Sequence, residues 1–393
     1  MSGTPENRLD PAELIARAVR ESGIDGEVGD ADFLGCLSAF CAAARTEARL
    51  PAPALDATEA DVVRTLVNRL RFHRDLQEHP EILDEVLEPP IVIMGLPRTG
   101  TTKLQRILSE DPGVQRLDFW KILNPSRAPR SPDGSDPRIE FARLMQQGLA
   151  AFPQFTAAHP LEADAPDEDL QLMEFTFDAY VAPLRYRVPT FRDRVLSRPA
   201  GPSYAYAKSL LQYLQWQDGG ARGRPWVLKT PVHIGHLPEL LDCYPGATLV
   251  HCHRDPRVVI PSFVRLVEIL HGMRTPDVDL DLIREQTVDY WSAQISRNLR
   301  DRDAGYGKQV LDVRFEDIRT DIEPVIEQVY AASGRTLTPE VGARFAAWQE
   351  RDRFGGVGRH EYSLERYGLS ERMIEERFAD YIDRFFTAPV GGV

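Results

Sequence analysis

Residues 91–111 read IVIMGLPRTGTTKLQRILSED. Ile91, Val92, Ile93 and Met94 form a short apolar, largely β-branched run behind Pro89 and Pro90, the pattern of a strand buried on both faces. Residues 95–100 make a tight glycine-bearing connection, and 101–109 follow with Leu104, Ile107 and Leu108 at helical spacing. A strand that runs through such a loop into a helix start presents unpaired backbone N–H groups at the positive end of a helix dipole, which suits a phosphate or sulfate oxyanion. Gly95 and Gly100 bracket four residues, as in a Walker A loop, but Thr101 stands where that motif requires lysine. A kinase or ATPase relies on that lysine to reach the β and γ phosphates, so the substitution disfavours one. Arg98 and the hydroxyls of Thr99, Thr101 and Thr102 still offer an anion site. A glycine pair alone also fits an ordinary turn in an α/β core, so the loop needs a partner elsewhere in the chain.

The whole chain sets bounds. Its 393 residues and 42% hydrophobic content suffice for one large α/β domain. A net charge of −13 argues against a nucleic-acid partner, whose phosphate backbone requires a basic face. Cys36, Cys41, Cys243 and Cys252 are too few and too scattered for a disulfide scaffold, and none has a His or Cys at metal-ligand spacing. They read as small buried hydrophobes, and no metal is expected. The first residues, MSGTPENRLDPAELIA, lack the basic region and apolar core of a signal peptide, and no apolar run approaches the roughly 20 residues of a membrane span. A cytoplasmic location follows as an expectation. Nothing in the pattern speaks to oligomeric state.

Taken in order, Asp10 and Pro11 start a helix with the stripe Leu14, Ile15 and Val19, which Gly23 stops. A second helix runs from about Thr58, with Val62, Val63, Leu66 and Leu70 on one face, and breaks before Pro80. Residues 1–85 thus read as a helical layer over an α/β domain at 86–393. The proline-rich stretch 124–137 is a loop; helices are predicted over 137–152, 168–181 and 204–216. That helical block is far longer than an ordinary crossover, which points to an acceptor pocket. Strands are predicted at 226–228, 247–252 and 309–315, with helices at 237–243, 257–270 and 283–299 between them. Alternating strands and helices imply a parallel sheet with its ligands at the carboxyl ends of the strands.

Pro97-Arg98-Thr99-Gly100-Thr101-Thr102 resembles the 5′-phosphosulfate loop of sulfotransferases that use 3′-phosphoadenosine 5′-phosphosulfate (PAPS). The common form there is Pro-Lys-Ser-Gly-Thr-Thr, and many bacterial members carry arginine for the lysine. The resemblance implies a P-loop-like fold, sulfuryl transfer to a hydroxyl or amine, and 3′-phosphoadenosine 5′-phosphate (PAP) as product. It demands an arginine at a strand end and a serine eight residues on, to hold the nucleotide 3′-phosphate; Arg254 and Ser262 have that spacing. Leu228-Lys229-Thr230-Pro231 is similar to the family's Lys-Thr or Lys-Ser-Pro segment. A lysine ending a buried strand is costly unless it meets a charge, so Lys229 is expected to face the transferred sulfuryl group. Residues 313–318, Val-Arg-Phe-Glu-Asp-Ile, resemble the family's Tyr-Glu-Asp-Leu element, and 359–364 resemble a loop of the bacterial branch; Gly355, Gly356 and Gly358 ahead of it suit a mobile lid that would bring Arg359 to the nucleotide 3′-phosphate.

The general base stays open. Better-known cytosolic members place a histidine directly after the Lys-Thr pair, where this chain has Pro231. His159, Glu162 and Glu168, in a segment where bacterial relatives carry His-Pro and Pro-x-Glu, compete with His233 two residues past Pro231. A non-catalytic nucleotide-binding protein that kept the fold is the alternative of another class. Phe119, Trp120, Phe152, Phe155 and Tyr180 suggest a partly apolar small-molecule acceptor.

Overall fold

The computed structural model describes residues 8–220, 223–352 and 364–387. Three helices come first: α1 (Pro11–Ser22), α2 (Ala31–Thr46) and α3 (Ala52–Glu78). The sheet then opens with β1 (Ile91–Gly95), α4 (Thr101–Leu108) and the two-residue β2 (Gln115–Arg116). A helical excursion follows: α5 (Phe119–Leu123), α6 (Pro137–Leu149), α7 (Pro153–Ala158), α8 (Leu170–Glu174), α9 (Ala182–Arg185), α10 (Pro189–Leu196) and α11 (Gly201–Gln217). The α/β rhythm returns as β3 (Trp226–Lys229), α12 (Leu237–Cys243), β4 (Thr248–His253), α13 (Pro256–Gly272), α14 (Leu280–Asp303) and β5 (Val310–Arg314). The chain continues as α15 (Phe315–Thr320), α16 (Glu323–Ala332), α17 (Pro339–Arg351), α18 (Glu371–Arg377) and α19 (Ala379–Ile382).

The sheet order is β2-β3-β1-β4-β5, every pair parallel. Strand β1 is central and buried throughout, which is why its sequence is an unbroken apolar run rather than an alternating one. Its odd positions, Ile91 and Ile93, pack with Leu104, Ile107 and Val325 on one face; Val92 and Met94 pack with Leu228, Leu249 and Val264 on the other. Register pairs Gly95 with Cys252, so the loops after β1 and β4 leave the sheet at the same end.

Several elements differ from the sequence expectations. Helix α2 has no counterpart among the predicted elements; Asp30 caps it by accepting from Phe33 N at 2.9 Å. Helix α3 starts at Ala52 rather than near Thr58, because Pro53 lies in its first turn, where a missing N–H costs nothing. The helix expected over 168–181 is only α8 plus turns: the Thr176 hydroxyl donates to Met173 O at 2.7 Å, and Phe177 takes a left-handed φ of 50°. The N-terminal helices share one apolar cluster with Phe177, Tyr186, Val188 and Phe191 from the excursion, so α1 to α3 support that block as well as cover it. Cys36, Cys41 and Cys252 are buried and Cys243 half-buried, all as free thiols. Among the described residues no helix is long and apolar enough to cross a membrane.

Candidate active site

The loop after β1 is built by steric necessity. A Cβ on Gly95 would lie 2.5 Å from Cys252 O and 2.6 Å from Thr99 Oγ1, so only glycine lets β4 and the turn approach β1 this closely. Gly100 has φ 85° and Arg98, unusually for a non-glycine, φ 68°. Two left-handed residues flanking Thr99 curl the backbone around the N-terminus of α4. Thr99 itself is fully buried and donates from Oγ1 to Leu96 O at 2.7 Å. Its hydroxyl therefore closes the loop from inside, and it is Pro97, Arg98, Gly100, Thr101 and Thr102 that line the cleft.

The second cradle stands beside the first. Arg254, directly after β4, donates from Nη1 to Arg98 O at 2.8 Å and lies 3.9 Å above the Phe315 ring. Asp255 caps α13 by accepting from Arg257 N at 2.8 Å, and Ser262 follows two turns into that helix. Arg254, Ser262, Thr101 and Thr102 all line one cleft of about 1930 Å³. A cleft that size exceeds the roughly 300–1,000 Å³ of a single small-molecule pocket and has room for two ligands. Arg359 lies outside the described residues.

Segment 158–169 forms the next wall, held by the loop and α4. Arg98 Nη1 donates to Ala158 O at 2.6 Å, Arg106 Nη2 to Pro160 O at 3.1 Å, and Gln105 Nε2 to Asp167 O at 3.0 Å. The same helix thus presents the anion loop at its start and fixes the opposing wall along its side. Glu168 and His159 line the cleft. Glu168 Oε1 accepts from Lys229 Nζ at 2.9 Å, and His159 Nε2 lies 3.4 Å from Asp167 Oδ2. Burial would raise the Asp167 pKa, but His159, Lys229 and the Glu168 backbone N–H hold it below the usual carboxylate range.

Three site expectations need correction. Lys229 is fully buried and does not itself line the cleft; its ammonium meets Glu168, because a buried cation needs an anionic partner. His233 is also fully buried, between Asp169 Oδ2 at 3.0 Å and the Tyr204 hydroxyl at 2.8 Å, and does not reach the cleft. Glu162 pairs with Arg106 at 3.0 Å on the outer side and is half-exposed. Of the aromatics, Phe119, Phe152 and Phe155 line the cleft, whereas Tyr180 stacks on Tyr290 at 3.6 Å and Trp120 lies under Arg138.

Sequence reasoning missed Asp169, whose Oδ1 accepts from Lys229 N at 3.0 Å while Oδ2 holds His233. It also missed Lys103, whose Nζ donates to Ile318 O at 2.9 Å, and the Gln105 and Arg106 clamps. The available signal was their place on α4, one turn beyond the anion loop.

The parallel sheet, the glycine loop without a Walker lysine and Arg254 beside it at the strand ends are the architecture of an α/β group-transfer enzyme. A family model described as Sulfotransferase family matches residues 89–339, and the chain belongs to that family. The omega-hydroxy-beta-dihydromenaquinone-9 sulfotransferase Stf3 of Mycobacterium bovis and of Mycobacterium tuberculosis is 25% identical over 312 residues, 76% of either chain. The crystal structure of sulfotransferase STF9 from Mycobacterium avium superposes with a TM-score of 0.86 at 25% identity, covering 100% of both chains. Sulfotransferase STF1 from Mycobacterium tuberculosis superposes at 0.76 and 28% identity, covering 94% of this chain and 98% of its own. The chain is therefore an enzyme of sulfuryl transfer, and the kinase and non-catalytic alternatives are set aside.

Proposed function

We propose that the chain transfers the sulfuryl group of PAPS to a hydroxyl on an elongated, largely apolar small molecule, releasing PAP. The observation that supports this reading is the 2.8 Å contact from Arg254 to Arg98 O, with Arg254, Ser262, Thr101 and Thr102 lining one cleft. Thr101, Thr102, Gly100 and the N–H groups at the start of α4 hold the 5′-phosphosulfate end, with Arg98 beside it. Arg254 and Ser262 hold the 3′-phosphate, and Arg359, behind the glycines at 355, 356 and 358, is assigned to the same phosphate from the sequence.

The acceptor oxygen attacks sulfur in line, its new S–O bond forming as the bond from sulfur to the phosphate oxygen breaks. The electron pair leaves with PAP, whose growing negative charge meets Arg98 and the loop amides. The hydroxyl proton passes to Glu168. Lys229 binds Glu168 Oε1, and Oε2 has no partner among the described residues, so the carboxylate is anchored on one side and open on the other. His159, paired with Asp167, is the competing base, and Lys229 acts through Glu168 as a positioning residue.

The acceptor class follows from α6. Phe141, Leu144 and Met145 line the cleft instead of entering the core, and Leu144 is 56% exposed. Such a stripe is stabilised only when an apolar ligand covers it. The related Stf3 carries a menaquinone acceptor in its name, which supports the same class. We read 1–85 and 86–393 as one folding unit, since they share a cluster, and the free cysteines support the cytoplasmic expectation.

The test is incubation with radiolabelled PAPS and a panel of hydroxylated lipids, sterols, phenols and sugars. Label is expected in long apolar alcohols, and Glu168→Gln is expected to remove it. Labelling of sugars alone would overturn the acceptor class; no PAPS-dependent labelling of any class would overturn the donor.

A further inference from the structure

Helix α3 presents one face to the cleft over its whole middle: Ala57, Ala60, Arg64, Val67, Asn68 and Arg71 line it at spacings of three and four. At about 1.5 Å per residue that wall is roughly 21 Å long. Arg71 ends it. Asn124, Ala128, Pro129 and Arg138, which line the same cleft, belong to neither proposed phosphate site.

Arg71 is exceptional among the partly buried arginines of this cleft. Arg138 is paired with Asp136, Arg185 with Glu174, Arg106 with Glu162, Arg98 with Ala158 O and Arg64 with Leu123 O. Arg71 makes no hydrogen bond or ion pair among the described residues. The nearby carboxylate that might serve it is taken: Asp75 accepts from Arg74 at Oδ1, and from Arg127 and Tyr213 at Oδ2. Burial pushes the Arg71 pKa down and Arg74 adds to this; Tyr213 and Asp75 oppose it, and Arg138 contributes a further, smaller lowering. A half-buried guanidinium that faces a cleft, with cations beside it and no acceptor among the described residues, is suited to an anionic ligand.

We propose that Arg71 recognises an oxyanion, carboxylate or phosphate, carried by the acceptor at the end remote from its reacting hydroxyl. This rests on the sulfuryl-transfer reading above. It makes the acceptor bipolar: a hydroxyl at Glu168, an apolar span against α6, and an anionic group at Arg71.

Calorimetric titration of the PAP-bound protein with hexadecanoate, hexadecyl phosphate and methyl hexadecanoate tests it without requiring turnover. At least one of the anions is expected to bind about tenfold or more tightly than the ester. Arg71→Gln is expected to abolish that preference while leaving ester and PAP affinities unchanged, and Arg71→Lys to keep part of it. Which anion binds better tells a carboxylate-bearing from a phosphate-bearing acceptor. Equal binding of acid, phosphate and ester, no binding of either anion, or equal weakening of all three by Arg71→Gln would overturn the proposal. Failure of PAP itself to bind would instead overturn the sulfuryl-transfer reading.

Discussion

Arg254 reaches across from the end of β4 to donate to the backbone carbonyl of Arg98, 2.8 Å away, and so ties the loops after two neighbouring strands into one surface. The guanidinium has other nitrogens and a ring, Phe315, 3.9 Å beneath it to keep its plane fixed. Arg254→Lys keeps the charge but loses the planar fork and the stack. PAP affinity is expected to fall about tenfold in the lysine variant and further in Arg254→Ala, with a smaller effect on kcat, as measured by calorimetry beside initial rates.

Glu168 and His159 are separable by conservative substitution. Glu168→Gln keeps size and loses the proton acceptor; kcat is expected to drop by about 10²–10⁴ with PAP affinity intact. His159→Gln is expected to cost less than tenfold. A reversed order in single-turnover rates would transfer the role of base to the His159 and Asp167 pair.

Lys229→Met leaves Glu168 without the ammonium 2.9 Å away and puts an apolar chain in a fully buried position. The loss of one member of such a pair costs about 3–5 kcal/mol when the other stays buried, and less here because Glu168 faces the cleft. A lower melting temperature and a kcat loss comparable to that of Glu168→Gln are expected. Loss of activity at full PAP affinity would fit a lysine that works through the glutamate.

Gly95→Ala is expected to be more damaging than Gly100→Ala. At Gly95 the new methyl meets Cys252 O at 2.5 Å, backbone against backbone, so β1 and β4 must part. At Gly100 it meets Ile318 and Phe315 side chains at 3.2 and 3.3 Å, with a left-handed penalty of about 1–2 kcal/mol. Thermal melts and PAP binding rank the two.

Stability is expected to fall with acid from about pH 6.5 downward. His271 is buried against Pro183 O, and burial pushes its pKa down to about 4; burial also lowers His251 and His253. A depressed histidine contributes stability that is complete above the unfolded pKa near 6.5 and lost as pH falls toward the folded value. The His271 share is up to about 3 kcal/mol by pH 4. Urea melts between pH 7 and 4 measure it, and His271→Gln is expected to flatten the slope.

The sheet, and the meeting of the loops after β1 and β4 in one cleft, were readable because buried strands and tight strand-to-helix loops impose local rules: an unbroken apolar run for Ile91 to Met94, glycines where backbones touch, an arginine and a serine eight apart. Helix α2 was harder to read: Phe33, Cys36, Leu37, Phe40, Cys41 and Ala44 form one buried stripe at spacings of three and four, but Leu34, Ala39, Ala42 and Ala43 carry apolar residues off it and blur the contrast between faces. Not readable were the depth of Lys229 and the seclusion of His233, which are set by Asp169 and Tyr204 from distant parts of the chain. Side-chain periodicity reports which face is apolar; it does not report which polar group another element will claim.

In the proposed site, two cradles read the two phosphates of one nucleotide. Calorimetric comparison of PAP with adenosine 5′-monophosphate tests it most directly, because the two differ only in the 3′-phosphate assigned to Arg254 and Ser262. PAP is expected to bind at least about tenfold more tightly, with Arg254→Ala erasing most of the difference. Equal affinities for the two nucleotides in the unsubstituted protein would contradict the account.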